Sequence, residues 1–291
     1  MYDTRPPESG SNFRLGFLFL PRRKREALSA VYAFCRHVDD IVDSGELPAE
    51  EAARRLSVWR EDIERLYAGG SQEPPAHPLA RNLKPFVEEF RLPKEGFLEV
   101  LRGVGMDLDG KRYEDFNELA RYLFGVAGAV GLLCVEIFGH RATPPDMLRE
   151  YATAMGNAFQ LTNILRDVGV DLERGRLYLP LADIREAGCS VEEILRREHT
   201  PAFERLMEAE YRRAKGFYAR AREVLHPDDR RSMAAAEVMA CIYEGLLERI
   251  RAERYRVLFG RVRLPAWRKA WLAARGWARS RFGTGPGVSV V

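Results

Sequence analysis

Five aspartates fall in two short clusters, Asp39-Asp40-Ile41-Val42-Asp43 and Asp167-Val168-Gly169-Val170-Asp171, each set inside an apolar helical pattern. On an α-helix Asp39 and Asp43 lie one turn apart on one face, and Asp167 and Asp171 repeat that arrangement. Bringing such carboxylates together costs about 4 kcal/mol per pair at ~4 Å and an effective dielectric near 20, so a cation is expected between them. An all-oxygen donor set without His or Cys at matching spacing suits a hard ion. Magnesium held by carboxylates and substrate phosphates is the expected arrangement, with manganese as a substitute.

The neighbouring polar residues extend both clusters. Tyr32, Arg36, Asp39, Asp40 and Asp43 follow one helical stripe, and Gln160, Asn163, Asp167 and Asp171 follow another. Arg36 and Arg166 are placed to contact an anionic ligand while the carboxylates hold metal. The competing reading of either cluster alone is a solvated helix face. Two clusters, with Val38, Ile41, Val42, Ile164, Leu165, Val168 and Val170 interleaved, weigh against it.

The elements that must position these residues read as helices throughout. Helical periodicity covers Arg22 to Ser44, Ala49 to Tyr67, Leu79 to Phe90, Lys94 to Asp107, Phe116 to Phe138 and Pro145 to Asp171. It resumes over Pro201 to Leu225, Asp228 to Phe259 and Pro265 to Arg281, and no segment alternates like a strand. Gly69 to Pro75 and Thr143 to Pro145 read as connectors, and Gly283 to Val291 as a frayed tail. The expectation is an all-α bundle, one domain over residues 1–291, with the acidic motifs facing a shared cavity.

Composition narrows the function classes. A net charge of +3 is too small to make nucleic acid the main partner, and a hydrophobic content of 46% suits a globular core. Cys35, Cys134, Cys189 and Cys241 are scattered, with neither zinc-ligand spacing nor a dense disulfide framework, which fits a reducing cytoplasm. The short apolar run Phe17 to Leu20 is followed, not preceded, by basic residues, so it does not read as a signal peptide. The apolar stretch Leu123 to Phe138 contains Glu136 and falls short of a membrane span; it reads as a buried helix.

The segments Tyr32 to Asp43 and Asn157 to Asp167, the latter continuing into Asp171 and Arg174-Gly175-Arg176-Leu177-Tyr178-Leu179-Pro180, resemble the squalene and phytoene synthase family over nearly the whole chain. The resemblance implies the all-α isoprenoid-synthase (class I terpenoid synthase) fold and head-to-head coupling of two prenyl diphosphates. It implies metal held by Asp39, Asp40, Asp43, Asn163, Asp167 and Asp171, and substrate contacts from Tyr32, Arg36, Gln160, Asn163, Arg166, Tyr243 and Arg261. Phe13, Tyr32, Phe34 and Tyr122 are candidate aromatic faces for a carbocation, Tyr122 foremost because it matches a family tyrosine near the reacting centre. Val126 to Gly131 looks like the family's small-residue helix, which leaves room for a prenyl chain or for close helix packing. Ser9 to Phe13 resembles its diphosphate-contacting stretch, with Asn12 in place of a usual Ser.

Gly10 to Phe13, Phe17 to Pro21 and Val130 to Gly139 look most like the presqualene diphosphate synthases of bacterial hopanoid synthesis. The substrate expected is farnesyl diphosphate and the product presqualene diphosphate, released without NADPH. Phytoene synthase on a longer chain, and a full squalene synthase, which uses a reductant, or dehydrosqualene synthase, are the alternatives within the family. A non-catalytic relative of the family acting as an assembly protein is the reading from another class, and a diphosphate hydrolase or a terpene cyclase could also use acidic clusters. Finally, the C-terminal Arg254, Arg256, Arg261, Arg263, Arg268, Lys269, Arg275, Arg279 and Arg281 accompany Phe259, Trp267, Trp271 and Trp277. A basic helix with tryptophans suits peripheral contact with an anionic membrane at the inner face of the cell, or else the tryptophans pack on the domain.

Overall fold

The structure is a computed structural model that describes residues 16, 20–43, 47–68 and 74–282. Among them there is no strand. The larger helices are α1 (Arg22–Asp43), α2 (Ala49–Tyr67), α3 (Pro78–Phe90), α4 (Lys94–Gly105), α5 (Phe116–Leu123), α6 (Ala129–Phe138) and α7 (Pro145–Glu173). After these come α8 (Leu181–Glu186), α9 (Val191–Leu195), α10 (Pro201–Val224), α11 (Ala234–Ala252) and α12 (Ala266–Phe282).

Local chemistry sets the helix boundaries. Pro145 opens α7 and Pro201 opens α10, where the missing N–H is one that no helix would pair. Thr200 caps α10 by accepting from the Phe203 N–H at 3.1 Å, and Asp115 caps α5 by accepting from the Glu118 N–H at 2.9 Å. The buried Asp229 accepts from the N–H groups of Arg141, Ala142 and Thr143 and from the Thr143 hydroxyl, tying the α6–α7 turn to the approach to α11.

The longest helix, α7, lies at the centre and packs against α10, α11, α6 and the π-helical turn Phe124–Gly128. Buried apolar residues from Ala27 to Ala273 form one connected core. The run expected over Lys94 to Asp107 ends as α-helix at Gly105 and tightens into a 3-10 turn, Met106–Asp109. The helix from Phe116 to Phe138 is continuous through the π turn; at 23 residues it is long and apolar enough to cross a membrane, longer than the stretch read from sequence. Here it packs on α4 and α7, and a Cβ at Gly125 would lie 2.6 Å from the Gly103 Cα. Such backbone-to-backbone contact needs glycine on both sides.

The expected helix Asp228 to Phe259 is shorter, because Arg254 and Tyr255 adopt left-handed backbone angles (φ 53° and 57°) and end α11 at Ala252. His199 Nε2 at 2.7 Å from the Arg254 carbonyl, and the Tyr255 hydroxyl donating to Glu208 at 2.6 Å, hold that turn. The chain then runs without helix to Pro265 and brings Arg261 back towards α7.

Candidate functional site

One side of α1 buries Val31, Phe34, Val38 and Ile41, which leaves Tyr32, Arg36, Asp39, Asp40 and Asp43 on the other. In α7, Leu161, Ile164, Leu165 and Val168 are buried around the polar stripe Gln160, Asn163, Asp167 and Asp171. Both stripes line one cavity of about 710 Å³. Tyr122, Arg166, Tyr243 and Arg261 line it too, so among the described residues every expected metal and diphosphate ligand, together with Tyr122, is brought to the same cavity.

The carboxylates meet arginines there. Arg36 pairs with Asp40 at 2.7 Å and Asp39 at 3.6 Å, and Arg166 grips Asp167 through two bonds of 2.8 and 2.5 Å. Arg261 reaches the same Asp167 at 2.9 Å, while Arg176 and Arg174 hold Asp43 at 2.5 and 3.2 Å. Among the described residues no three His, Cys, Asp or Glu side chains converge as a ready-made metal cluster. Guanidinium groups thus neutralise part of the cluster.

Neutralisation is incomplete. Burial along the cavity wall, then the nearby Asp43, pushes the Asp39 carboxyl up to about 6, and burial followed by Asp167 pushes Asp171 up to about 7. Asn163 adds another signal: its side-chain oxygen is buried and has no hydrogen-bond partner, while its amide donates to Gln160 at 3.4 Å. An orphaned oxygen acceptor among carboxylates is a donor set that fits a hard divalent ion.

Four further polar residues to which the sequence assigns no role line the cavity: Asp107, Arg174, Arg176 and Tyr178. Asp107 accepts from the Tyr122 hydroxyl at 3.0 Å and from the Tyr178 hydroxyl at 2.9 Å. The two rings stack with centroids 5.1 Å apart. Burial raises the Asp107 carboxyl against the pull of Arg176 and both hydroxyls, and burial followed by the Asp107 charge lifts Tyr122 well above the ordinary phenol range. Tyr122 therefore stays a neutral phenol and presents an aromatic ring, not a phenolate. Tyr178→Phe is expected to cost about 1.5–3 kcal/mol, the range for a hydrogen bond to a charged group. Urea denaturation measures it, and an unchanged midpoint would show that the network does not hold Tyr122.

Phe34, one of the aromatic candidates, is fully buried between Trp59 and Phe97, edge to face with each at 5.2 Å, and does not line the cavity. Its place on α1 is opposite the polar stripe, so it serves the core. Phe13 and the Ser9 to Phe13 stretch lie outside the described residues. In the small-residue helix only Val126 reaches the cavity. A Cβ at Gly131 would sit 2.5 Å from the Ala152 carbonyl oxygen, so close helix packing accounts for that glycine. Cys35, Val100, Val104 and Ile164 supply apolar lining.

An all-α bundle with a central cavity lined by aspartate clusters from two helices has the layout of a class I terpenoid synthase. The squalene/phytoene synthase family profile matches residues 7–268. The chain is 38% identical to a presqualene diphosphate synthase of Zymomonas mobilis, covering 84% of this chain and 82% of that one. It is 37% identical to a phytoene synthase of Thermus thermophilus, covering 94% and 90%. A crystal structure of a dehydrosqualene synthase superposes with a TM-score of 0.77 at 29% identity over 93% of this chain and 92% of that one. Squalene synthase HpnC from Alicyclobacillus acidocaldarius does so with a TM-score of 0.72 at 29% identity, covering 84% and 89%. The chain belongs to the squalene/phytoene synthase family, whose members are enzymes of the prenyltransferase type.

Proposed function

We propose that this enzyme couples two molecules of farnesyl diphosphate head to head, forming presqualene diphosphate and releasing one diphosphate and one proton. In the donor the C1–oxygen bond breaks and its electron pair leaves with diphosphate. The double bond of the acceptor attacks C1, and loss of a proton closes the cyclopropane. The observation that carries the reading is that Tyr122, held by Asp107, shares one cavity with both aspartate clusters and with Arg36, Arg166, Arg174, Arg176 and Arg261. Coupling needs an anion-binding region for two diphosphates and an aromatic face beside it for the cation.

The oxygen donors fit magnesium, with manganese as a substitute, and Asp39, Asp40, Asp43, Asn163, Asp167 and Asp171 would hold it. The chemistry it supplies when bound is charge neutralisation of the departing diphosphate. The arginines orient the phosphates. Gln160, Tyr32 and Tyr243 line the wall beside them. The neutral Tyr122 ring faces developing positive charge, and Cys35, Val100, Val104 and Val126 give an apolar surface that keeps water from the cation.

Substrate length separates this reading from phytoene synthesis. With magnesium present, kcat/KM for farnesyl diphosphate is expected to exceed that for geranylgeranyl diphosphate at least about tenfold, within the discrimination that extra methylenes supply in an apolar pocket. A preference for the longer chain would assign the enzyme to phytoene synthesis instead.

A further inference from the structure

The inner face of α12 is committed to the domain. Leu272, Ala273, Gly276 and Ser280 are buried, and a Cβ at Gly276 would lie 2.7 Å from the Val238 Cα on α11. The outer face carries Trp267, Trp271, Ala274, Ala278 and Phe282, three or four residues apart, so they form a single stripe along the helix. Trp267 is 73% exposed, Trp271 57% and Phe282 76%, and these side chains are among the most exposed large apolar groups described. Packing on the domain, the alternative reading from sequence, holds for the half-buried Trp277 but not for these.

Charge on this segment has one sign. Residues 254–282 contain nine Lys or Arg and no Asp or Glu, more than the whole +3 excess of the chain. Arg263, Arg268, Lys269, Arg275 and Arg281 pair with no carboxylate among the described residues. Arg275 lies over the Trp271 ring at 5.7 Å, which keeps a cation beside the apolar stripe. Arg261, six residues before Trp267, lines the cavity, and six residues of chain span at most about 20 Å.

We propose that the outer face of α12 is a docking surface for an anionic lipid bilayer, with Trp267 and Trp271 entering the headgroup region and the flanking basic residues pairing with lipid phosphates. Aromatic groups flanked by cations on an immobilised helix match the two-part chemistry of that surface, apolar below and negative above. A short reach from this stripe to the cavity wall would let prenyl substrates and products exchange with the bilayer. The proposal does not depend on which product the enzyme makes.

Full-length protein is sedimented with vesicles of phosphatidylcholine alone or mixed with phosphatidylglycerol, while salt is raised from about 0.01 M to 1 M to shorten the Debye length from about 30 to 3 Å. Binding is expected to the anionic vesicles only, with release at high salt and quenching of tryptophan fluorescence by brominated lipid. Joint Trp267→Ala and Trp271→Ala substitution is expected to weaken partitioning at least about tenfold. Arg275→Gln and Arg281→Gln should each weaken it about fivefold, from ~1 kcal/mol per cation near the surface. Far-UV circular dichroism checks that the variants fold, and quenching in the unsubstituted protein reports insertion without any variant. Equal or absent binding to the two vesicle types, or no quenching, overturns the proposal. So does self-association without vesicles that the tryptophan substitutions abolish, or equally tight binding to duplex nucleic acid.

Discussion

Asp39→Asn and Asp171→Asn are each expected to lower kcat on the order of 10³-fold, the scale for removing one preorganised charge-stabilising group, while leaving the fold intact. The stability effect has a definite sign. Folding raises both carboxyl groups, Asp39 to about 6 and Asp171 to about 7, because burial and a neighbouring aspartate disfavour their charged forms. A carboxyl raised on folding binds its proton more tightly in the native state, so it costs nothing below the ordinary carboxylate range. The cost grows as pH rises from that range through the raised values, and it is complete above them. Asparagine cannot ionise. Each variant should therefore match the native protein at pH near 4 and melt above it at pH near 8 without metal. Thermal melts at both pH values, paired with turnover at saturating magnesium, test both halves. Undiminished activity would remove these residues from the site, and an equal loss of melting temperature at both pH values would contradict the electrostatic argument.

Gly169→Ala tests the geometry between the aspartates of the second cluster. Its N–H donates to the Val257 carbonyl at 3.2 Å, and an added Cβ would stand 2.4 Å from the Leu258 carbonyl oxygen. Those are backbone atoms, so a side chain cannot swing away to relieve the clash. The segment that carries Arg261 must retreat from α7, and with it the 2.9 Å contact to Asp167. Overpacking of this kind costs about 1–3 kcal/mol, and activity should fall with stability. Gly216 supplies the control, since an added Cβ there on α10 meets nothing within 4 Å. Gly216→Ala should stabilise by about 0.5–1 kcal/mol through helix propensity alone, with activity unchanged. Equal behaviour of the two substitutions in urea denaturation would refute the close-approach account.

What the sequence made legible follows from how far each signal reaches. Residues three or four apart on a helix declare a shared face, so the stripes of α1 and α7 could be read directly, and the structure brings both to one cavity. Asp107 gave no such signal. It stands in a 3-10 turn after α4, and its partners Tyr122 and Tyr178 come from distant segments, so only the folded chain joins them. Arg174 and Arg176 follow the second cluster at the end of α7, where helical spacing no longer says which way a side chain points. A resemblance covered them without assigning them a part.

Boundaries failed for comparable reasons. The helices Leu181–Glu186 and Val191–Leu195 are too short to show a period, although Ser190 and Glu193 spell a capping box that announces the second. No Gly or Pro marks Arg254 and Tyr255, so the turn that ends α11 and returns Arg261 to the site depends on contacts with His199 and Glu208 from elsewhere in the fold. Trp267 and Trp271 left their two readings open because a helix's apolar stripe looks the same whether a protein surface or a lipid surface covers it.

Coupling of two farnesyl diphosphates at a single cavity is measured directly by product mass with diphosphate stoichiometry. The full chain is incubated with farnesyl diphosphate and magnesium, with and without NADPH. The expected result is presqualene diphosphate in both reactions, with one diphosphate released for every two substrates consumed. Farnesol with no coupled product would contradict coupling altogether, and squalene formed efficiently once NADPH is added would contradict release of the cyclopropyl diphosphate as the product.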